Sequence, residues 1–453
     1  MFTNLHIQNF KSWADTGEMR MAPITGFFGT NSSGKTAILQ FILMLKQTIE
    51  SRDRNTILNL GNDPYSYVKL GTTYDIVHNH KFPAQIEFSL TWKPQRIHKK
   101  ELMLLFVRES QEERSLYQIP HSPFLKFTSR FNINTDEVSL QLFKYSFQYS
   151  NHKWSYFGRR FLKINNEIRG ETFISGELEN DLLSFNEVYE TLENPFKPYN
   201  ATSQFDLYND LHATFEDLFV NTYYLAPLRA YPERTYLWSG ERPHDVGKLG
   251  ELTVAAILAS RKTDPSVEIS VAKALKDLGL IHTFKLKAIA ENRRDYEILV
   301  QRSPNSPEVL ITDVGFGVSQ ILPVLVLCYY VPKGSTVILE QPEIHLHPSV
   351  QAKLADVFID AIKTRNIQII IESHSEHLLR RLQRRVAEAK DGFTNEDAAL
   401  YFCDMTDDGT SQLVPLELDT YGNINNYLQD FFGDEMGDLV AMTEAAMHRQ
   451  MSS

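Results

Sequence analysis

Residues 29–36 read Gly29-Thr30-Asn31-Ser32-Ser33-Gly34-Lys35-Thr36, and this stretch decides the fold. It satisfies the pattern G-x-x-x-x-G-K-[S/T], in which glycines let the backbone fold around phosphates without Cβ clashes. The N–H groups of Asn31, Ser32, Ser33 and Gly34 are expected to point inward, and a helix starting near Lys35 adds the positive end of its dipole. Lys35 is expected to reach the β- and γ-phosphates, and Thr36 to offer its hydroxyl to Mg²⁺. The flanks agree with this reading. Residues 23–29 (PITGFFG) lead in and residues 35–49 (KTAILQFILMLKQTI) carry a helical pattern, so the order is strand, glycine loop, helix.

Two later stretches end apolar strands in acid. Residues 336–340 (TVILE) run into Glu340, with Gln341, Pro342 and Glu343 behind it. A carboxylate at the end of a buried strand is placed to hold the water shell of Mg²⁺ opposite Thr36. Residues 367–377 (IQIIIESHSEH) end a second strand in a polar cluster containing Glu372 and His374. A helical stretch from Ser349 to about Lys363 lies between them, giving a βαβ unit of the kind that suits a parallel sheet covered on both faces. Ligands of such sheets bind at the carboxyl ends of the strands, which places His374 to touch a γ-phosphate or orient a water. Gly315-Phe316-Gly317-Val318-Ser319-Gln320 precedes an apolar segment at 319–331. Two glycines and a serine at a helix start make a second anion-binding nest, of use to a nucleotide shared across two subunits. The simpler alternative is a loop in which Ser319 caps the helix.

Composition bounds these expectations. The 453 residues are 42% hydrophobic and 23% charged, as in a globular protein of two or three core-forming units or one large domain with an insertion. The net charge of −11 argues against a generally basic nucleic-acid coat, though DNA binding through a local basic patch stays open. Cys328 and Cys403 stand far apart, support neither a zinc site nor a disulfide framework, and suit a reducing compartment. The N-terminus lacks the pattern of a signal peptide. The longest apolar run, Ile321 to Val331, is broken by Pro323 and is shorter than the roughly 20 residues of a membrane span, so a cytoplasmic protein without a membrane partner is expected. Strands are expected at 4–11, 84–91, 101–107, 138–147 and 296–301, and helices at 180–193, 205–219, 249–261 and 269–279. Strand-like runs flank Asp407–Gly409, and the absence of a sustained heptad between about 95 and 220 argues against a long coiled coil.

Together these motifs resemble the ABC-type ATPases of the SMC, RecF and OLD-like group, especially the stand-alone bacterial members found beside anti-phage and other mobile-element genes. The matching residues are Ile7–Ser12 (IQNFKS), Gly29–Thr36, Gly315–Gln320, Leu339–Pro348 (LEQPEIHLHP) and Glu372–His377 (ESHSEH). Tyr224–Arg229 (YLAPLR) and Asp430–Glu435 (DFFGDE) add to them, while residues 95–220 carry no specific match. The resemblance implies an α/β P-loop NTPase, an ABC-ATPase head with a mixed β subdomain and a helical or insert subdomain. Residues 1–94 would form the N-terminal lobe, 95–220 an insert, and 221–453 the C-terminal lobe. It further implies ATP and Mg²⁺ as cofactors and a homo-oligomer in which two heads sandwich two nucleotides. By position, Gly317 and Ser319 would touch the γ-phosphate in trans and His374 would be the switch histidine. His345 to His347 would fall in the loop that crosses the interface, with Lys11 and Ser12 near the nucleotide.

Three features depart from the family pattern. GFGVSQ replaces the usual Leu-Ser-Gly-Gly-Gln signature, and Glu340, the expected metal partner of Thr36, stands where most ABC proteins carry Asp. Gln341 stands where the family carries its catalytic Glu, and an amide is no general base, so slow hydrolysis or a role for Glu372 or Glu343 is expected. About 80 residues follow His374 without a clustered acidic set, so no nuclease domain is expected. The leading expectation is an anti-phage ATPase that controls a separate effector such as a nuclease or toxin. The alternatives are a RecF-like DNA-repair ATPase and a scaffold that holds ATP without hydrolysing it. Basic stretches at Arg380–Arg385 and Arg159-Arg160 are read chiefly as solvated faces.

Overall fold

The computed structural model describes residues 1–53, 56–94, 124–135, 137–149, 153–164, 167–175, 206–426 and 435–451. The strand expected at 101–107, the helix expected at 180–193 and residues 430–434 lie outside these. Along the chain, β1 (Phe2–Phe10), β2 (Trp13–Asp15), β3 (Met19–Arg20) and β4 (Ile24–Gly29) lead to α1 (Lys35–Glu50), and a single turn α2 (Thr73–Ile76) precedes β5 (Ala84–Trp92). Next come β6 (Leu125–Ile133), β7 (Val138–Tyr149), β8 (Lys153–Ile164), β9 (Glu167–Ser175), α3 (Asp206–Val220), β10 (Thr222–Leu225) and β11 (Tyr236–Leu237). They are followed by α4 (Thr253–Thr263), α5 (Ser266–Asp277), β12 (Thr283–Ala288), β13 (Asp295–Gln301), β14 (Val309–Leu310) and α6 (Phe316–Tyr330). The last part holds β15 (Thr336–Glu340), α7 (Pro348–Arg365), β16 (Gln368–Glu372), α8 (Glu376–Ala387), β17 (Ala398–Met405), β18 (Ser411–Pro415) and α9 (Glu435–Met451).

The central sheet runs β10-β15-β16-β4-β17-β18, parallel throughout except for β18. Its inner strands β15, β16 and β4 are buried without alternation because both faces are covered. Period-2 geometry then divides each strand between two cores. Val337, Leu339, Ile369 and Ile371 join the core built with α4 to α8, while Ile338 and Ile370 join the core that contains α1. The expected βαβ unit is β15, α7 and β16, and its register sets Glu340 beside Glu372.

A second, antiparallel sheet runs β2-β1-β5-β6-β7-β8-β9, with β3 also on β1. Its strands β6 to β9 carry the described residues between 125 and 175 onto β5. Helix α1 is sandwiched between this sheet and the central one, and nearly every residue of it is buried. Phe41 meets Phe10 and Phe88 edge-on at ring-centroid distances of 5.0 and 5.2 Å. Truncating such a ring costs about 3–5 kcal/mol, so the helix that starts at the phosphate loop is held firmly.

A small antiparallel sheet of β11, β13, β12 and β14 flanks α4 to α6. α6 corrects the alternative of a loop at 315–318 capped by Ser319. The helix already starts at Phe316, with Gly315 as its N-cap and Gly317 inside the first turn. Ser319 is therefore no cap; its hydroxyl donates to the Phe316 carbonyl at 2.8 Å. Pro323 lies inside the same helix, at a position that ordinarily costs about 3 kcal/mol. Its ring fills the space over Gly250, where an added Cβ would come within 2.7 Å of it. Among the described residues no helix is long and apolar enough to cross a membrane.

Candidate nucleotide site

The phosphate loop leaves β4 at Gly29 and enters α1 at Lys35. Gly29 is constrained by its neighbour: a Cβ there would lie 2.0 Å from the Cys403 carbonyl oxygen of β17. Gly34 has φ 90° and packs against Ser411, Ser12 and Trp13, whose Nε1 donates to the Gly34 carbonyl at 3.0 Å. Asn31 and Ser32 are exposed and Ser33 is buried, its hydroxyl donating to the Thr30 carbonyl at 2.9 Å. Lys35 folds over the loop and donates to the carbonyls of Gly29, at 3.1 Å, and of Thr30, and to Ser33 Oγ at 3.3 Å. Burial holds its pKa below the usual lysine value, opposed chiefly by the Glu372 charge. Lys11 is left-handed (φ 51°) and its ammonium donates to Gln40 of α1, while the Ser411 hydroxyl donates to Ser12 Oγ at 2.6 Å. This places the β1–β2 turn against the loop.

Three buried carboxylates gather at the carboxyl edge of the central sheet. Glu372 ends β16, the strand between β4 and β15, and accepts the Thr36 hydroxyl at 2.9 Å. Glu340 ends β15 one strand farther out and accepts the Tyr224 hydroxyl at 3.0 Å. Glu343 lies in the following turn, where one carboxylate oxygen accepts the Ser373 hydroxyl and the His374 backbone N–H, both at 2.8 Å. Burial, then the neighbouring Glu372 charge, pushes the Glu340 carboxyl up to about 7, and burial raises Glu343 and Glu372 as well. His374 is half-buried. Burial and the Lys35 charge hold its pKa below the usual histidine value, against a hydrogen bond to the Gly29 backbone. Gln341, between Glu340 and Glu343, is half-buried and left-handed, with φ 43°.

The start of α6 forms the adjoining surface. Phe316 is exposed, and its ring stands 5.6 Å from Tyr231 and 5.2 Å from His345. Gly317 faces the His345 carbonyl and Leu346, while Ser319 is buried and turned inward. His347 caps α7, its Nδ1 accepting from the Ser349 backbone N–H.

With this geometry in view, relatives can be compared. A family model described as AAA ATPase domain matches residues 1–210 and 254–379, most of the chain. The chain belongs to the AAA ATPase domain family. A second model, described as a protein of unknown function (DUF3696), matches residues 393–442. No curated protein matches in sequence. Among solved structures the chain is similar to an SmcHead bound to the C-winged helix domain of ScpA, with 12% identity, coverage of 92% of this chain and 98% of that one, and a TM-score of 0.44. It is also similar to an SMC head domain from Thermotoga maritima, at 11% identity, 92% and 99% coverage and a TM-score of 0.37. A third is an Smc head domain with an extended coiled coil bound to the C-terminal domain of ScpA, derived from Pyrococcus furiosus, at 10% identity, 92% and 96% coverage and a TM-score of 0.42. The family model and the fold agree with the expected α/β P-loop ATPase class.

In this ATPase, sequence reasoning singled out Lys35, Thr36, Glu340, Gln341, Glu372 and His374, and the fold brings them to one sheet edge. It gave no role to Tyr224 and Arg229, which reach the same edge from β10 and the turn after it. Their signal was available, since YLAPLR ends an apolar strand in polar residues as the two acidic motifs do. Ser373, which fixes Glu343, carried no distinguishing signal. Among the described residues no group of three or more His, Cys, Asp or Glu side chains forms a closed metal site. The donors fit Mg²⁺ nonetheless, because this ion takes a hydroxyl and one or two carboxylates and completes its shell with phosphate and water. Thr36 and Glu372 supply that pair, and Oε2 of Glu372 is buried without a hydrogen-bond partner.

Proposed function

We propose that this edge binds ATP with Mg²⁺ and hydrolyses it slowly, and that the nucleotide closes two heads upon each other. The observation that carries the reading is the gathering of a phosphate loop, its lysine, three buried carboxylates and a half-buried histidine at one strand edge. Asn31, Ser32, Ser33 and Gly34 hold phosphate through backbone N–H groups, and Lys35 exchanges its loop carbonyls for phosphate oxygens. Thr36, Glu372 and Glu340 are the residues that would hold Mg²⁺, which neutralises phosphate charge. His374, kept neutral at physiological pH by burial and Lys35, contacts the terminal phosphate or its attacking water. Gln341 orients that water without taking its proton. Glu372 is engaged by Thr36 and Glu343 by Ser373 and His374, which supports a slow switch.

Head pairing is supported by the exposed Phe316, with Tyr231 and His345 beside it, and by the resemblance that places Gly317 and Ser319 across an interface. The resemblance alone supports the wider role, control of a separate nuclease or toxin in anti-phage defence. A DNA clamp is less favoured. Arg380, Arg381, Arg384 and Arg385 are each paired with Glu376, Asp356 or Glu388, which leaves little free charge in that stretch for phosphates. Light scattering with and without ATP and Mg²⁺ tests the pairing. The wild type is expected to gain mass, and Phe316→Glu to stay at its nucleotide-free mass while binding ATP within about threefold of wild type. Equal assembly by both proteins would remove this face from the interface.

A further inference from the structure

Two side chains of the YLAPLR stretch, Tyr224 and Arg229, had no role assigned to them and reach the acidic edge from the far side of β15. β10 pairs with β15 in parallel register, Leu225 opposite Leu339, and the chain leaves it through Ala226, Pro227 and Leu228. Tyr224, buried, donates its hydroxyl to the Glu340 carboxylate. Arg229, also buried, turns back upon the end of β15. Its Nη2 donates to the Glu340 carbonyl at 3.1 Å, and its Nη1 to the carbonyls of Pro227 at 2.5 Å and Gln341 at 3.4 Å. Burying a guanidinium is costly unless its donors are used, and here most of them serve backbone oxygens.

What the guanidinium holds is a turn that residues with a side chain resist. Gln341 is left-handed, a region seldom adopted outside glycine and often found where function fixes the backbone. The turn directs the Gln341 N–H to the Glu372 carbonyl at 2.8 Å, tying the end of β15 to the end of β16. It then carries Glu343 back beneath Ser373 and His374. The carbonyls on either side of this turn, Glu340 and Gln341, both face Arg229.

We propose that Tyr224 and Arg229 are positioning residues: they fix the Glu340 carboxylate and lock the left-handed turn at Gln341, and so set Gln341, Glu343 and His374 for hydrolysis without touching the nucleotide. The inference rests on the ATPase site proposed above. It separates ATP binding, which belongs to the loop at 29–36, from the hydrolytic step, which depends on β10.

The test uses the full chain with Arg229→Lys and Tyr224→Phe, beside wild type and Lys35→Ala. Phosphate release gives kcat and KM, calorimetry gives ATP affinity, and thermal melting reports folding. A lysine ammonium keeps the charge but cannot span successive carbonyls as a planar fork does. Arg229→Lys is expected to lose about tenfold or more in kcat, and Tyr224→Phe about threefold, with KM and ATP affinity within about twofold of wild type. Should Arg229→Lys fail to fold, Tyr224→Phe decides alone, since it removes one hydroxyl and no volume of consequence. An unchanged kcat overturns the inference, and so does a parallel loss of affinity and turnover, which marks a general structural role. A wild type that binds ATP through Lys35 but never turns it over overturns the inference and leaves the binding site standing. ATP binding that is absent, or indifferent to Lys35→Ala, overturns the site reading and the inference with it.

Discussion

Glu340 is buried beside Glu372, and this proximity has a measurable cost in the metal-free protein. Its carboxyl moves from 4.5 to about 7 on folding. The unfolded chain therefore releases this proton first as pH rises. The group's contribution to stability is full below about pH 4.5 and is lost as pH climbs through about 7. Glu340→Gln removes this dependence. In EDTA and without nucleotide, urea denaturation at pH 8 is expected to show the variant more stable by about 1–3 kcal/mol, with the difference gone near pH 5. A variant less stable than wild type at pH 8 would mean that Glu340 is better satisfied than its burial implies. The neighbouring Gln341 invites a different change. It follows the acid of β15, and the proposed function puts it at the position of a general base, a catalytic device worth about 10²–10⁴-fold. Gln341→Glu is expected to raise phosphate release by at least about tenfold. Unchanged release would show that this side chain does not face the attacking water.

Among the elements, the strands of the central sheet were the most legible. β15 and β16 are apolar runs that end in a polar cluster, TVILE and IQIIIES, and runs of that kind are strands covered on both faces. α1, α7 and the pairing of β17 with β18 around Asp407–Gly409 followed from the same periodicity and turn chemistry. The start of α6 was misread. Gly315, Gly317 and Ser319 carry loop and cap chemistry in isolation, but packing of Gly317 against Leu346 and the inward bond of Ser319 draw all three into the helix or its cap. Tertiary contact there overrides local propensity. The YLAPLR pattern marks Arg229 as lying just past an apolar strand, but it does not announce the clamp, because two of the three carbonyls that Arg229 holds lie more than a hundred residues away.

At the scale of the molecule, α1 lies between the antiparallel and the central sheets and fills the core they share, with the phosphate loop at its head. The antiparallel sheet was only partly foreseen. β1, β5 and β7 read as strands and β6 to β9 pair with their neighbours in sequence, but joining β1 to β5 and β5 to β6 depends on pairings between distant segments. The site inherits its rigidity from this arrangement. Lys35 is fixed by a helix that is buried almost throughout, and its acidic partners by strands with no exposed face. The central claim is that the loop at 29–36 is a nucleotide site whose lysine meets the phosphates. Calorimetric titration of wild type and Lys35→Ala with ATP and Mg²⁺ tests it most directly. Charge-assisted bonds of this type contribute on the order of 2–3 kcal/mol each, so saturable one-site binding is expected in the wild type and an affinity at least about 100-fold weaker in the variant. Equal affinity in the two proteins, or no binding in the wild type, would contradict the account.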